Sequence, residues 1–165
     1  MSRTQSRSTP DSLDTAAELG CEVVLMHMQG EPATMQAEPR YDDVVAEVAA
    51  FLHGRAEAAM RSGVRREQIW LDPGVGFGKH RTRHNLPLLA GLEAIVALGF
   101  PVLLGVSRKA FIGALDDGAG ADQRLGGSIA AALAGAAAGV AAVRVHDVRE
   151  TVQALRVWNA IAQAR

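Results

Sequence analysis

Cysteine is almost absent from this sequence: Cys21 is the only one in 165 residues. One thiol builds neither an internal disulfide nor a cysteine zinc cage, which fits a reducing cytoplasm. Charge of one sign is lacking too. The formal net charge is −1, so nothing points to nucleic acid or to an anionic membrane as a partner. Long apolar runs are missing. The longest, Ile129 to Val143, is rich in alanine and glycine and falls short of the roughly 20 residues that span a bilayer. Residues 1–12, MSRTQSRSTPDS, lack the apolar stretch of a secretory signal. Their Arg and Ser content suits a transit peptide, but the segment is short for an amphipathic targeting helix. No H-E-x-x-H or paired-cysteine pattern offers a zinc site.

What is present is apolar and periodic. Hydrophobic residues make up 48% of the chain, enough for a substantial core. Four short apolar runs recur: Val23–Met26, Ile69–Leu71, Val102–Leu104 and Ala142–Val145. Each is followed by a loop and then a helical pattern, over about 42–61, 86–96, 124–138 and 150–164. Runs apolar on both faces, separated by helices, predict an α/β fold with a parallel sheet buried on both sides. A closed eight-unit barrel takes about 250 residues, and four units look like half of one. The outer strands, at 23–26 and 142–145, carry no proline or lysine to deter edge pairing, so self-association is expected.

Polar residues gather after every strand: His27 to Gly30 after the first, Asp72-Pro-Gly-Val-Gly-Phe-Gly-Lys79 after the second, Ser107-Arg108-Lys109 after the third, Arg144 and His146 at the fourth. Parallel α/β folds bind ligands at this end of their strands. The glycine segment is neither a Walker A loop, because His80 follows Lys79, nor a dinucleotide fingerprint, because position 79 is lysine. Its glycines instead let the backbone bend while Asp72 faces the pocket. A carboxylate there accepts a pair of N–H groups from an amidine-like ring. The plainer alternative is a turn cap. Lys109, Arg144 and His146 suit an anion whose charge grows as a bond breaks. The plainer reading of Lys109 is surface charge, whereas Arg144 lies in an apolar strand, where an unpaired arginine is costly. His27 reads as a core histidine, Cys21 as a buried small hydrophobe, and His53, His80 and His84 as surface positions.

Seven stretches, LMHMQG (25–30), PRYDDVVAEV (39–48), DPGVGFGK (72–79), HNL (84–86), PVLLGVSRKAFIG (101–113), RLGGSIAAALA (124–134) and VRVHDVRETVQA (143–154), resemble the dihydropteroate synthase family in order and spacing. The resemblance covers about residues 15–160. The related pterin-binding barrel of corrinoid methyltransferases is an alternative, against which GVSRK and RVHDV argue. The resemblance implies a (β/α)8 TIM barrel, of which this chain supplies the strand–helix units of strands five to eight. It implies condensation of 6-hydroxymethyl-7,8-dihydropterin pyrophosphate with p-aminobenzoate, pyrophosphate leaving first. Asp72 would hold the pterin ring, Met26 and Phe77 would wall it, and Gly105 would line it. Lys109 would meet the pterin, Ser107 the p-aminobenzoate carboxylate, and Arg144 and His146 the pyrophosphate.

The resemblance also implies magnesium, whose usual protein ligand belongs to the family's first half and has no counterpart here. Sulfonamides would compete, and a homodimer would form through helices near the C-terminus. Residues 1–14 do not resemble the family and are expected to be disordered, leaving 15–165 as the half-barrel. A non-catalytic half-barrel that at most binds pterin or pyrophosphate is the second reading.

Overall fold

The computed structural model describes residues 10–31, 35 and 38–164. The chain opens with helix α1 (Pro10–Leu19), strand β1 (Val23–Met26) and the long helix α2 (Val44–Arg61). Strand β2 (Ile69–Asp72), helices α3 (Asn85–Ala90) and α4 (Leu92–Val96) and strand β3 (Leu103–Gly105) follow. The last part is α5 (Ala110–Leu115), α6 (Leu125–Ala137), β4 (Ala142–Arg144) and α7 (Val148–Gln163).

All pairing is parallel. β1 lies beside β2, with Val24 opposite Trp70 and Met26 opposite Asp72. β3 lies beside β4, with Gly105 opposite Arg144. A parallel bridge from Leu71 to Val102 joins the two pairs, and the Leu71 N–H donates to the Pro101 carbonyl at 2.9 Å. The strands therefore run in the order β1-β2-β3-β4, an arc with β1 and β4 at its edges. This is the half-barrel of strand–helix units expected from the sequence.

Side chains alternate across a strand, so the register sorts them onto two faces. Leu25, Ile69, Leu71, Val102 and Leu104 face the helices and are buried. α2 covers them with Val44, Val48, Leu52, Ala56 and Ala59, one stripe at helical spacing. Asp43 caps this helix, its Oδ1 accepting from the Val45 and Ala46 N–H groups. The other face carries Val24, Met26, Trp70, Asp72, Leu103, Gly105 and Arg144. Here the expectation of a sheet buried on both sides fails. Val24 is 49% exposed, and Met26, Trp70 and Leu103 are only half covered. In a closed barrel that face is packed by side chains from the other strands, and four strands supply only part of them.

Other expectations need correcting. Residues 10–14 of the segment expected to be disordered belong to α1, because Leu13, Ala16 and Ala17 recur at helical spacing and pack on the core. Residues 1–9 lie outside the described residues. The single helix expected over 86–96 is two, broken at Gly91. A side chain there would meet Val45 Cγ2 of α2 at 2.7 Å, so Gly91 leaves room for α2 to approach. α5 occupies residues for which the sequence pattern predicts no element. Cys21 is exposed, because it precedes β1 at the open end of the sheet. His84 is buried against Tyr41, ring centroids 4.8 Å apart. Among the described residues no helix is long and apolar enough to cross a membrane.

Candidate active site

The four strands end on one rim, and each contributes. Asp72 closes β2 with its carboxyl buried. Its Oδ1 accepts the Gly74 N–H at 2.7 Å, so the residue also caps the turn, the role that was its plainer alternative. Burial pushes this carboxyl above the ordinary aspartate range, against the opposing pull of the Gly74 N–H and of Arg144, Lys109 and Lys79.

The glycine loop is pressed against the loop after β1. Gly74, Gly76 and Gly78 all have left-handed φ, at 65°, 84° and 59°. A Cβ on Gly74 would collide with the His27 carbonyl oxygen, and one on Gly78 with the Gln29 backbone. Only glycine meets both demands. Met26 lies at the same junction, its Cγ 3.5 Å from where a Gly74 Cβ would sit. Phe77 turns its ring towards β3, and Lys109 Nζ stands 4.0 Å from the ring centroid. That is cation–π distance, so the ammonium holds one wall of the site in place. Burial, with the nearby Arg144 charge, lowers the Lys109 pKa, while Asp72 opposes the shift.

The fourth corner is built by pairing. The Arg144 guanidinium lies over Gly105, with Nη2 3.1 Å from the position of an added Cβ, so Gly105 makes room for it. Arg144 itself is exposed rather than enclosed, because β4 ends there and the inner face is open. Ser107 Oγ accepts the His146 N–H at 3.2 Å and lies 3.0 Å from His146 Nδ1. Arg108 forks onto Asp147, with Nη2–Oδ1 at 2.6 Å and Nε–Oδ2 at 3.1 Å. This pair holds the Asp147 carboxyl below its usual range. It also clasps the loop after β3 to the loop after β4, which keeps Ser107 opposite His146.

The structure thus brings all eight sequence-predicted residues, Met26, Asp72, Phe77, Gly105, Ser107, Lys109, Arg144 and His146, to one rim. Four others support them and were not singled out from sequence. Lys79 is buried beneath the glycine loop. Asn85 Oδ1 accepts the Gly76 N–H at 2.9 Å, while its Nδ2 donates to the His80 and Arg81 carbonyls. The Tyr41 hydroxyl donates to the Gly78 carbonyl at 2.8 Å. Arg108 is the fourth. Lys79 and Asn85 fall inside the stretches DPGVGFGK and HNL, so the signal was present, but without a partner in view. A cleft of about 800 Å³ opens beside Lys109 and is rimmed by Arg40, Arg81 and Arg83.

Magnesium finds no fitting donors here. Among the described residues no three His, Cys, Asp or Glu side chains form a cluster that could hold a metal ion. Asp72 is the one buried carboxylate among the described residues; one of its oxygens accepts the Gly74 N–H and three cations already act on it, a setting that does not suit a further cation. No step is therefore derived through a metal.

Comparison with known proteins decides the family. Residues 2–146 match the family described as pterin binding enzyme. The chain belongs to the pterin-binding enzyme family. Its pterin-binding relatives include the dihydropteroate synthase of Escherichia coli (strain K12), 46% identical over 161 residues, which are 98% of this chain and 56% of that protein. A crystal structure of the Thermus thermophilus dihydropteroate synthase in complex with 6HMPPP superposes with a TM-score of 0.89 at 48% identity, covering 96% of this chain and 62% of that one. The Xanthomonas albilineans dihydropteroate synthase with 4-aminobenzoic acid gives 0.87 at 46% identity, covering 96% of this chain and 56% of that one. The chain spans about half the length of the curated relatives it matches.

Proposed function

We propose that this chain is the C-terminal half of a dihydropteroate synthase site, carrying the pterin and pyrophosphate subsites of the reaction that joins 6-hydroxymethyl-7,8-dihydropterin pyrophosphate to p-aminobenzoate. The observation that supports it best is a buried carboxylate beside a wall-and-cation pair, Asp72 with Phe77 and Lys109, at the ends of adjacent strands. Asp72 accepts the paired N–H groups of the pterin ring. Met26 and Phe77 enclose the ring, and Gly105 lies beneath it. Arg144 and His146 hold the pyrophosphate, and Ser107 faces the p-aminobenzoate carboxylate.

In the reaction the pterin methylene C–O bond breaks and its electron pair leaves with pyrophosphate. Lys109 and Arg144 stabilise the charge that grows there. The p-aminobenzoate nitrogen then forms the new C–N bond and loses a proton. The chain contributes positioning and charge, with no covalent nucleophile. Sulfonamides, as mimics of p-aminobenzoate, compete for that place. The reading implies a cytoplasmic homodimer.

The second reading is a half-barrel that binds without turning over. The open inner face and the exposed Arg144 favour it for the chain on its own. Isothermal titration of the purified chain with a pterin pyrophosphate analogue, magnesium present, tests both. Micromolar binding supports a competent half-site and directs the search to a complementing N-terminal half. Absence of binding by a folded chain rejects the synthase reading for this chain alone.

A further inference from the structure

Lys79 is the largest fully buried side chain among the described residues, at 1% exposure, and the reaction outlined above gives it no part. A buried ammonium survives only with its donors satisfied. Lys79 satisfies all three. Nζ lies 2.9 Å from His27 Nδ1, 3.0 Å from the Gly74 carbonyl and 3.1 Å from the Phe77 carbonyl. His27 belongs to the loop after β1, and the two carbonyls span the glycine loop after β2. Gly74 stands two residues from Asp72, and Phe77 carries the ring under Lys109.

We infer that Lys79 is a positioning residue of the pterin pocket, tying the loop after β1 to both ends of the glycine loop and so fixing the distance between the Asp72 carboxylate and the Phe77 ring. The inference rests on the pterin-binding reading of this site. Two carbonyls and one imidazole nitrogen converge on one buried point, and a protonated Lys79 meets all three with its three hydrogens. This geometry also assigns the histidine. With an ammonium opposite, His27 Nδ1 accepts and the neutral ring carries its proton on Nε2. The ring is held by Phe51, edge-on at 4.9 Å, and by Tyr41 at 6.0 Å. Burial and the Lys79 charge keep this imidazole neutral, lowering its pKa to about 3.

The other groups facing Lys79 are Asp72 on β2, Lys109 after β3 and His84 before α3, while the Tyr41 hydroxyl before α2 holds the neighbouring Gly78 carbonyl. Burial dominates and brings the Lys79 pKa down to about 7, Lys109 adding to the shift and Asp72 opposing it. When Lys79 loses a proton it keeps two donors for the carbonyls, and His27 shifts its proton to Nδ1 to donate in turn. The bond between the loops then persists while its direction reverses.

The test is NMR on the full chain. In the wild type the His27 ring nitrogens should show a tautomer change near neutral pH with no protonation of the ring. A His27 Nδ1 that carries a proton while Lys79 is an ammonium would set two donors against each other and overturns the inference, with no variant needed. In Lys79→Met, amide exchange at Gly74, Gly76 and Phe77 should speed by about tenfold or more, the scale of one lost hydrogen bond to a charged donor, while Leu52 in α2 stays protected. Binding of 6-hydroxymethylpterin should weaken by a similar factor. Unchanged exchange at the three amides overturns the inference, as does faster exchange with unchanged pterin affinity. If the wild type takes up no pterin, the functional reading of the isolated chain fails on its own, and the exchange and tautomer results decide the role of Lys79.

Discussion

Burial raises the Asp72 carboxyl while three cations and one N–H pull it back, so its charge is kept at a cost to folding. A folded-state pKa raised above the unfolded value means that the group's contribution is full below the unfolded value and is lost as pH rises through the folded one. At neutral pH the ionised Asp72 therefore opposes the fold. Asp72→Asn should stabilise the chain by about 1 kcal/mol at pH 7, read by urea unfolding, and abolish pterin binding. A less stable variant would mean that the cations outweigh the burial. Lys79 has the opposite sign. Its pKa is depressed to about 7 from 10.5, so the unfolded chain binds the extra proton and stability rises with pH across that window. The rise should be smaller in Lys79→Met, and equal slopes in the two proteins would refute it. Lys109→Ala should remove turnover in any assembled enzyme while shifting thermal unfolding little, since its ammonium lies beside the cleft. At this scale the sequence was legible where a residue looked out of place. Asp72 ends an apolar strand, and Arg144 interrupts one. Lys79 was not legible, because the convergence of three acceptors on it depends on how closely Gly74 and Gly78 let two loops approach.

Elements were predicted by their periods, and the errors came where contacts override periodicity. α2 shows its stripe plainly, and its start at Asp43 is readable as a cap. The break at Gly91 is not readable, because the apolar spacing runs straight through it. At the break the chain lies close against Val45, with no room for a side chain at Gly91. Gly91→Ala should cost about 1–3 kcal/mol by overpacking, measured by chemical denaturation, and Val45→Ala in that background should return much of the loss. Additive effects of the two changes would show that Gly91 serves some other purpose. α5 escaped notice because six residues carry too little pattern, and it is held by its neighbours rather than by its own propensity.

At the scale of the whole molecule, association is expected at one of two surfaces of the described residues. One is the inner face with Val24 at 49% exposure and the β1 and β4 edges. The other is α7, where Val148, Val157 and Ile161 are each more than half exposed. Light scattering after size exclusion should show concentration-dependent association of the chain, and a clean monomer at every concentration would refute it. Val24→Asp should reduce the association if the inner face carries it, and Val157→Glu if α7 does. The fold class and strand order were legible from four apolar runs, because each run pairs with the next. The open inner face was legible from the count of units rather than from the runs themselves, since four strands leave out the ones that would pack it. Cys21 now acquires a use. It sits exposed just before β1, at the amino ends of the strands and on the side away from the rim. A fluorophore attached there would report the arrival of anything that closes the arc, with no other thiol to confuse the signal and no dye in the pocket.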